Sequence, residues 1–106
     1  MDIIEESLNI LRINSVSQTG NLELVDYLAR LLDKLGLPYE IQSTTHRGVP
    51  QQNLICRIEG SSSEEILFNT HLDTVSPGDP KKWHTTGYDP FSPRIEGDKI
   101  YGLGSA

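Results

Sequence analysis

One short run constrains the fold of this chain more than any other. Ile66-Leu67-Phe68-Asn69-Thr70 is an apolar stretch that ends at once in His71 and, two positions later, Asp73. A brief apolar run without polar alternation is the pattern of a strand buried on both faces. Such a strand needs layers on either side, so it points to an α/β architecture with helices covering a sheet. In a strand, residues i and i+2 project to the same side. His71 and Asp73 would therefore emerge together at the strand's carboxyl end, where open α/β sheets bind ligands. An imidazole beside a carboxylate there can serve a metal, one ring nitrogen binding it and the other held by the acid. By itself a His-x-Asp pair is common, and a polar strand end is the plainer reading.

The rest of the chain supplies the other elements. Ile3, Ile4, Leu8, Leu11 and Ile13 recur at helical spacing, with Asp2 placed to cap the start and Glu5 three residues later as in a capping box. The polar stretch from Asn14 to Gly20 breaks that helix. A second helix is expected from about Leu22 to Leu35, with Leu24, Leu28, Leu31, Leu32 and Leu35 along its core side. Gly36 suits its C-cap and Pro38 bars its continuation. A short strand at Tyr39–Gln42, a polar connection over residues 43–52, and a strand from Asn53 to Glu59 should come next. Residues 94–101 read as a hairpin turning at Gly97-Asp98. Both leucine-rich helices are expected to pack on a sheet that contains residues 53–59 and 66–70.

Composition narrows the function. A formal charge of −6, with nine basic residues of which only Lys81 and Lys82 are adjacent, argues against a nucleic-acid partner. No apolar run approaches the ~18 residues of a membrane span, and the amino terminus lacks the basic-then-apolar order of a secretory signal, so a cytoplasmic location is the default expectation. The single cysteine, Cys56, cannot form an internal disulfide; it reads as a small packed residue, not a catalytic thiol. The length of 106 residues allows one small domain, but a hydrophobic content of 36% is low for an independent sheet covered on both faces.

The residues after Asp73 make the His-x-Asp pair more telling. Val75 leads into a Pro-rich loop from Ser76 to Pro80, then Trp83-His84, then Asp89-Pro90-Phe91, then an acidic-Gly turn at Glu96-Gly97-Asp98, and finally Tyr101-Gly102-Leu103-Gly104. From Asn53 to Ala106 this order resembles the amino-terminal part of the M20 family of zinc aminoacylases and peptidases, the group of acetylornithine deacetylase, succinyl-diaminopimelate desuccinylase and glutamate carboxypeptidase. The preceding half fits only in its helix and strand pattern.

The resemblance implies a three-layer α/β/α zinc-peptidase-like catalytic domain, with residues 1–106 as its incomplete amino-terminal part. It implies a dinuclear zinc hydrolase, with cobalt as an alternative ion, that cleaves amide bonds of N-acyl amino acids or small peptides. His71 would ligate one zinc. Asp73 would belong to the catalytic apparatus as the partner that orients His71 or supports the catalytic base, without ligating metal; its plainer reading is a local turn into Thr74. Gly102 and Gly104 would bring backbone close to the metal-binding loop. His84 and His46 read as surface residues, and Trp83 and Phe91 as anchors of the Pro-rich loop.

In the family, an Asp that bridges the two metals and then a Lys-Gly pair come after the Gly-x-Gly segment, where this chain stops at Ala106. The remaining ligands, and a lid domain that usually forms a homodimer interface, lie further on. The isolated chain is therefore expected to be inactive; a truncated non-catalytic binding or scaffold module of the same fold is the alternative.

Overall fold

The computed structural model describes all of residues 1–106. Helix α1 spans Ile3–Leu11, and the Asp2 carboxylate caps it by accepting from the Ile4 and Glu5 amides. Only half of the expected capping box forms, because Glu5 does not reach back to the Asp2 amide. Helix α2 spans Leu22–Leu35 and stops as expected: Gly36 is left-handed at φ 67°, and the Leu37 amide donates to the Leu32 carbonyl at 3.0 Å. The Tyr27 hydroxyl of α2 donates to the Glu6 carboxylate of α1, tying the two helices together.

The core side of α2 differs from the expected leucine stripe. Leu24, Val25 and Ala29 are buried, Leu28, Leu31 and Leu32 are half-buried, and Leu35 is exposed. Val25 and Ala29 belong to the same i, i+4 row, and this row is fully covered. With Val16, they and Leu24 make up the buried apolar core.

Strand β1 (Tyr39–His46) and strand β2 (Val49–Cys56) form one antiparallel hairpin in continuous register from Tyr39 opposite Cys56 to His46 opposite Val49. The expected polar connection over residues 43–52 is thus mostly ladder, and the expected strand at 53–59 begins four residues earlier. The two-residue turn Arg47-Gly48 has φ 50° and 80°, the positive pair that a type I′ turn demands. Arg47 is a non-glycine residue in the left-handed region, so the turn carries no Asn-Gly or Asp-Gly signal. The polar sequence of β1 resembles a loop because the strand is exposed along almost its whole length.

Helix α2 packs on β2 through a side chain. Asn21, at the N-cap position, makes no cap bond; its amide instead donates to the Gln52 carbonyl and accepts from the Gln52 amide, both at 2.8 Å. Gly20 allows this approach: at φ 88°, a Cβ there would lie 2.7 Å from the Pro50 carbonyl oxygen.

Beyond the hairpin, Asp79 caps a single 3₁₀ turn at Pro80–Lys82, and the Trp83 indole donates to the Pro77 carbonyl at 2.8 Å. Trp83 thus pins the Pro-rich loop as anticipated, while Asp89 accepts from the Phe91 amide in a turn of its own. A second short hairpin, β3 (Arg94–Glu96) with β4 (Lys99–Tyr101), turns at Gly97-Asp98 as expected.

The two strand pairs remain separate two-stranded sheets. Mixed helix and strand is what the α/β expectation requires, but the stretch from Ile66 to Thr70 does not join either sheet. Ile66, Leu67 and Phe68 are 84%, 87% and 91% exposed. This corrects the buried-strand reading. A doubly buried strand needs ladder partners on its edges and layers over both faces, and no other strand of these 106 residues lies alongside it. The expected packing of both helices on a sheet containing residues 66–70 is overturned for the same reason. Helix α1 has no fully buried residue, and α2 packs chiefly on β2.

Candidate functional site

The carboxyl end of the 66–70 stretch is nonetheless held in place. Val16, just after α1, forms an isolated parallel bridge with Thr74. The Ser17 amide donates to the Thr74 carbonyl and the Thr74 amide donates to the Ser15 carbonyl, both at 3.0 Å. This short ladder fixes the backbone on which His71 and Asp73 sit.

The two side chains meet, although no strand carries them. His71 Nδ1 lies 3.1 Å from Asp73 Oδ1 and 2.9 Å from the Asp73 carbonyl oxygen. Both neighbours are acceptors when the carboxylate is ionised, so Nδ1 carries the proton. In the neutral ring Nε2 then holds the lone pair, and the His71 side chain is 84% exposed. The other Asp73 oxygen, Oδ2, accepts from the Ser17 hydroxyl at 2.6 Å. That bond is the main reason the Asp73 carboxyl is held below the ordinary carboxylate range; partial burial opposes it and the His71 contact adds to it.

The Gly102–Gly104 segment reaches the residue after this pair, Thr74, through Gly104. Gly104 has φ 87°, and a Cβ there would lie 3.1 Å from the Thr74 methyl carbon. The Leu103 amide donates to the Pro90 carbonyl at 3.1 Å, anchoring the passage to the Asp89-Pro90-Phe91 turn. Of the two glycines, Gly104 makes a close approach to Thr74, whereas a Cβ at Gly102 would meet Pro93 and Leu11 instead, 3.3 and 3.5 Å away. Thr74 Oγ1, at the same junction, is buried without a hydrogen-bond partner.

His71 and Asp73 border an open hollow of about 760 Å³ between the β1–β2 hairpin and residues 68–73, which Gln42, His46 and Gln51 also line. His84 is exposed in the loop after Trp83, outside that hollow. Cys56 is exposed at the end of β2, not packed, a further correction.

The donor set does not amount to a coordination sphere. Nowhere do three or more His, Cys, Asp or Glu side chains converge to hold an ion. What the chain offers a metal is one imidazole, oriented by its carboxylate and open at Nε2. Sequence reasoning did not single out Ser17 or Thr74. Ser17 looks only like part of a helix-breaking polar stretch, and its bond to Asp73 spans 56 positions. No helix is long and apolar enough to cross a membrane.

In sequence, the chain is similar to known metallohydrolases. The chain is 31% identical to an uncharacterized metallohydrolase of Methanocaldococcus jannaschii over 121 aligned residues, covering 99% of the chain and 29% of that protein. It is 31% identical to the succinyl-diaminopimelate desuccinylase of Ehrlichia canis, across 98% of the chain and 26% of the relative. The corresponding enzyme of a Methylobacterium strain is 36% identical over 74% of the chain and 19% of its own length. The chain thus spans less than a third of the length of these relatives. No family model matches the chain. No solved structure matches it.

Proposed function

Because the chain belongs to the family of succinyl-diaminopimelate desuccinylases and related M20 metallohydrolases, we propose that residues 1–106 are part of the catalytic domain of a metal-dependent amide hydrolase. His71 ligates a metal through Nε2. Asp73 holds the Nδ1 proton and so keeps the ligating atom free. The observation that carries this reading is the His71–Asp73 pair itself, with Nδ1 engaged by Asp73 and the rest of the ring open.

The metal is zinc, with two ions in the complete centre and cobalt as an alternative. Imidazole nitrogen is a ready zinc ligand, and a bound zinc would supply an activated water and a polarised carbonyl. The substrate class is an N-acyl amino acid, in keeping with the named activity of the desuccinylase relatives. Since the chain presents one oriented donor and no cluster of three, the isolated 106 residues should bind zinc weakly and turn over nothing. Complete structural zinc sites reach roughly 10–16 kcal/mol of apparent binding from a full ligand set.

A chimera tests the assignment. Residues 1–106 are exchanged for the aligned segment of a succinyl-diaminopimelate desuccinylase, and hydrolysis of N-succinyl amino acids is monitored with zinc present. The chimera should be active, and His71→Ala should remove bound metal and most of the turnover. Asp73→Asn should preserve the shape and lose about 10–100-fold, the usual cost of removing a partner that orients a ligand. A chimera whose metal content and activity ignore His71→Ala would refute the ligand assignment.

A further inference from the structure

Building on the reading of His71 as a ligand, we propose that Ser17 is the positioning residue of this centre. Its hydroxyl fixes the Asp73 carboxylate, and the fixed carboxylate keeps the His71 proton on Nδ1 and the lone pair on Nε2.

The carboxylate needs such a restraint. Rotation about the last torsion of an Asp side chain is broad and nearly two-fold, so a free carboxylate does not hold one oxygen against a neighbour. Here one oxygen is occupied from each side: Oδ2 by Ser17 at 2.6 Å and Oδ1 by His71 at 3.1 Å. The Ser17 hydroxyl also lies 3.2 Å from the Thr74 carbonyl. The shorter, charge-assisted bond to the carboxylate takes its proton. Ser17 can act as a fixed point because its own amide donates to the Thr74 carbonyl in the Val16–Thr74 bridge. Donor and acceptor therefore ride on the same ladder, one residue from each other's backbone anchor. Without this restraint the imidazole could place its proton on Nε2, which would block the atom that must bind metal.

The competing account gives Ser17 a purely structural role and leaves the tautomer to the Asp73 carbonyl, 2.9 Å from Nδ1. Long-range ¹⁵N–¹H correlation spectra of ¹⁵N-histidine-labelled chain separate the two. They are recorded without metal, at a single pH well above the ordinary imidazole range. The wild type and Ser17→Thr should show His71 in the Nδ1–H form. Ser17→Ala should lose that form in favour of Nε2–H while the Val16 and Thr74 amides keep their folded positions. Retention of Nδ1–H in folded Ser17→Ala overturns the proposal. Should Ser17→Ala not fold, the Ser17 χ1 couplings of the wild type decide: one staggered rotamer is expected, and rotamer averaging overturns it. Because no metal is present, the result judges Ser17 separately from the ligand assignment, which the chimera judges.

Discussion

Asn21→Asp replaces one amide nitrogen by oxygen and should expose how much of the fold hangs on a single side chain. Asn21 is 7% exposed and makes two 2.8 Å bonds to the backbone of Gln52. A carboxylate can still accept from the Gln52 amide, but its second oxygen faces the Gln52 carbonyl where a donor stood. One hydrogen bond is lost and a buried charge meets an acceptor, for a cost of about 2–3 kcal/mol. Few apolar residues are buried in this chain, so that loss is a large share of its stability. The cost should reverse with acid. The burial and the facing carbonyl raise the folded pKa of the introduced carboxyl above its unfolded value. Its protonated form can donate to Gln52, so the recovered stability is fully present below the unfolded pKa and is lost as pH rises through the folded pKa. The assay is urea unfolding monitored by circular dichroism across pH, with exchange of the Gln52 amide as a local probe. At neutral pH the folded-to-unfolded ratio should fall roughly 30- to 150-fold, at about 1.4 kcal/mol per factor of ten. Asn21→Ala, which cannot donate at any pH, should be destabilised without acid recovery. An Asn21→Asp chain as stable as wild type at neutral pH, or one that weakens further in mild acid, would refute the reasoning.

The geometry sets three further outcomes. The depressed Asp73 pKa means its contribution is present above the ordinary carboxylate range and is lost as pH falls through the folded value; the urea midpoint should drop in acid, and Asp73→Asn or Ser17→Ala should remove that part of the drop. Gly20→Ala should cost more than Gly36→Ala, because both glycines have positive φ but only at Gly20 does a Cβ meet backbone, 2.7 Å from the Pro50 oxygen; thermal midpoints of the two variants check the order, with about 1–2 kcal/mol expected from strain alone at Gly36. Phe68→Ser should leave the unfolding free energy within about 0.5 kcal/mol, since surface positions carry little, while reducing aggregation measured by light scattering, because an exposed, unpaired apolar stretch invites intermolecular strand pairing. A strongly destabilised Phe68→Ser would mean that the ring is packed after all.

The features legible in the sequence are those decided within a few residues. Asp2 caps α1 because its carboxylate reaches amides two and three positions on. Gly36 ends α2 because only a left-handed residue closes the last turn cheaply, and Gly97-Asp98 turns the second hairpin. His71 and Asp73 meet because two positions of separation put an imidazole within local reach of a carboxylate. The features that escape the sequence depend on partners far along the chain. Whether Ile66–Phe68 is a core strand depends on ladders and layers beside it, and hydrophobicity alone does not supply them. The part of the β1–β2 hairpin nearest its turn, residues 43–52, is hidden because exposed polar strands look like loops until they pair. Ser17, an ordinary serine in a helix break, acquires a role only when Val16 bridges Thr74 and carries its hydroxyl to Asp73. Local torsions and capping bonds are written into neighbouring residues, whereas burial and long-range hydrogen bonds exist only once the chain has closed on itself.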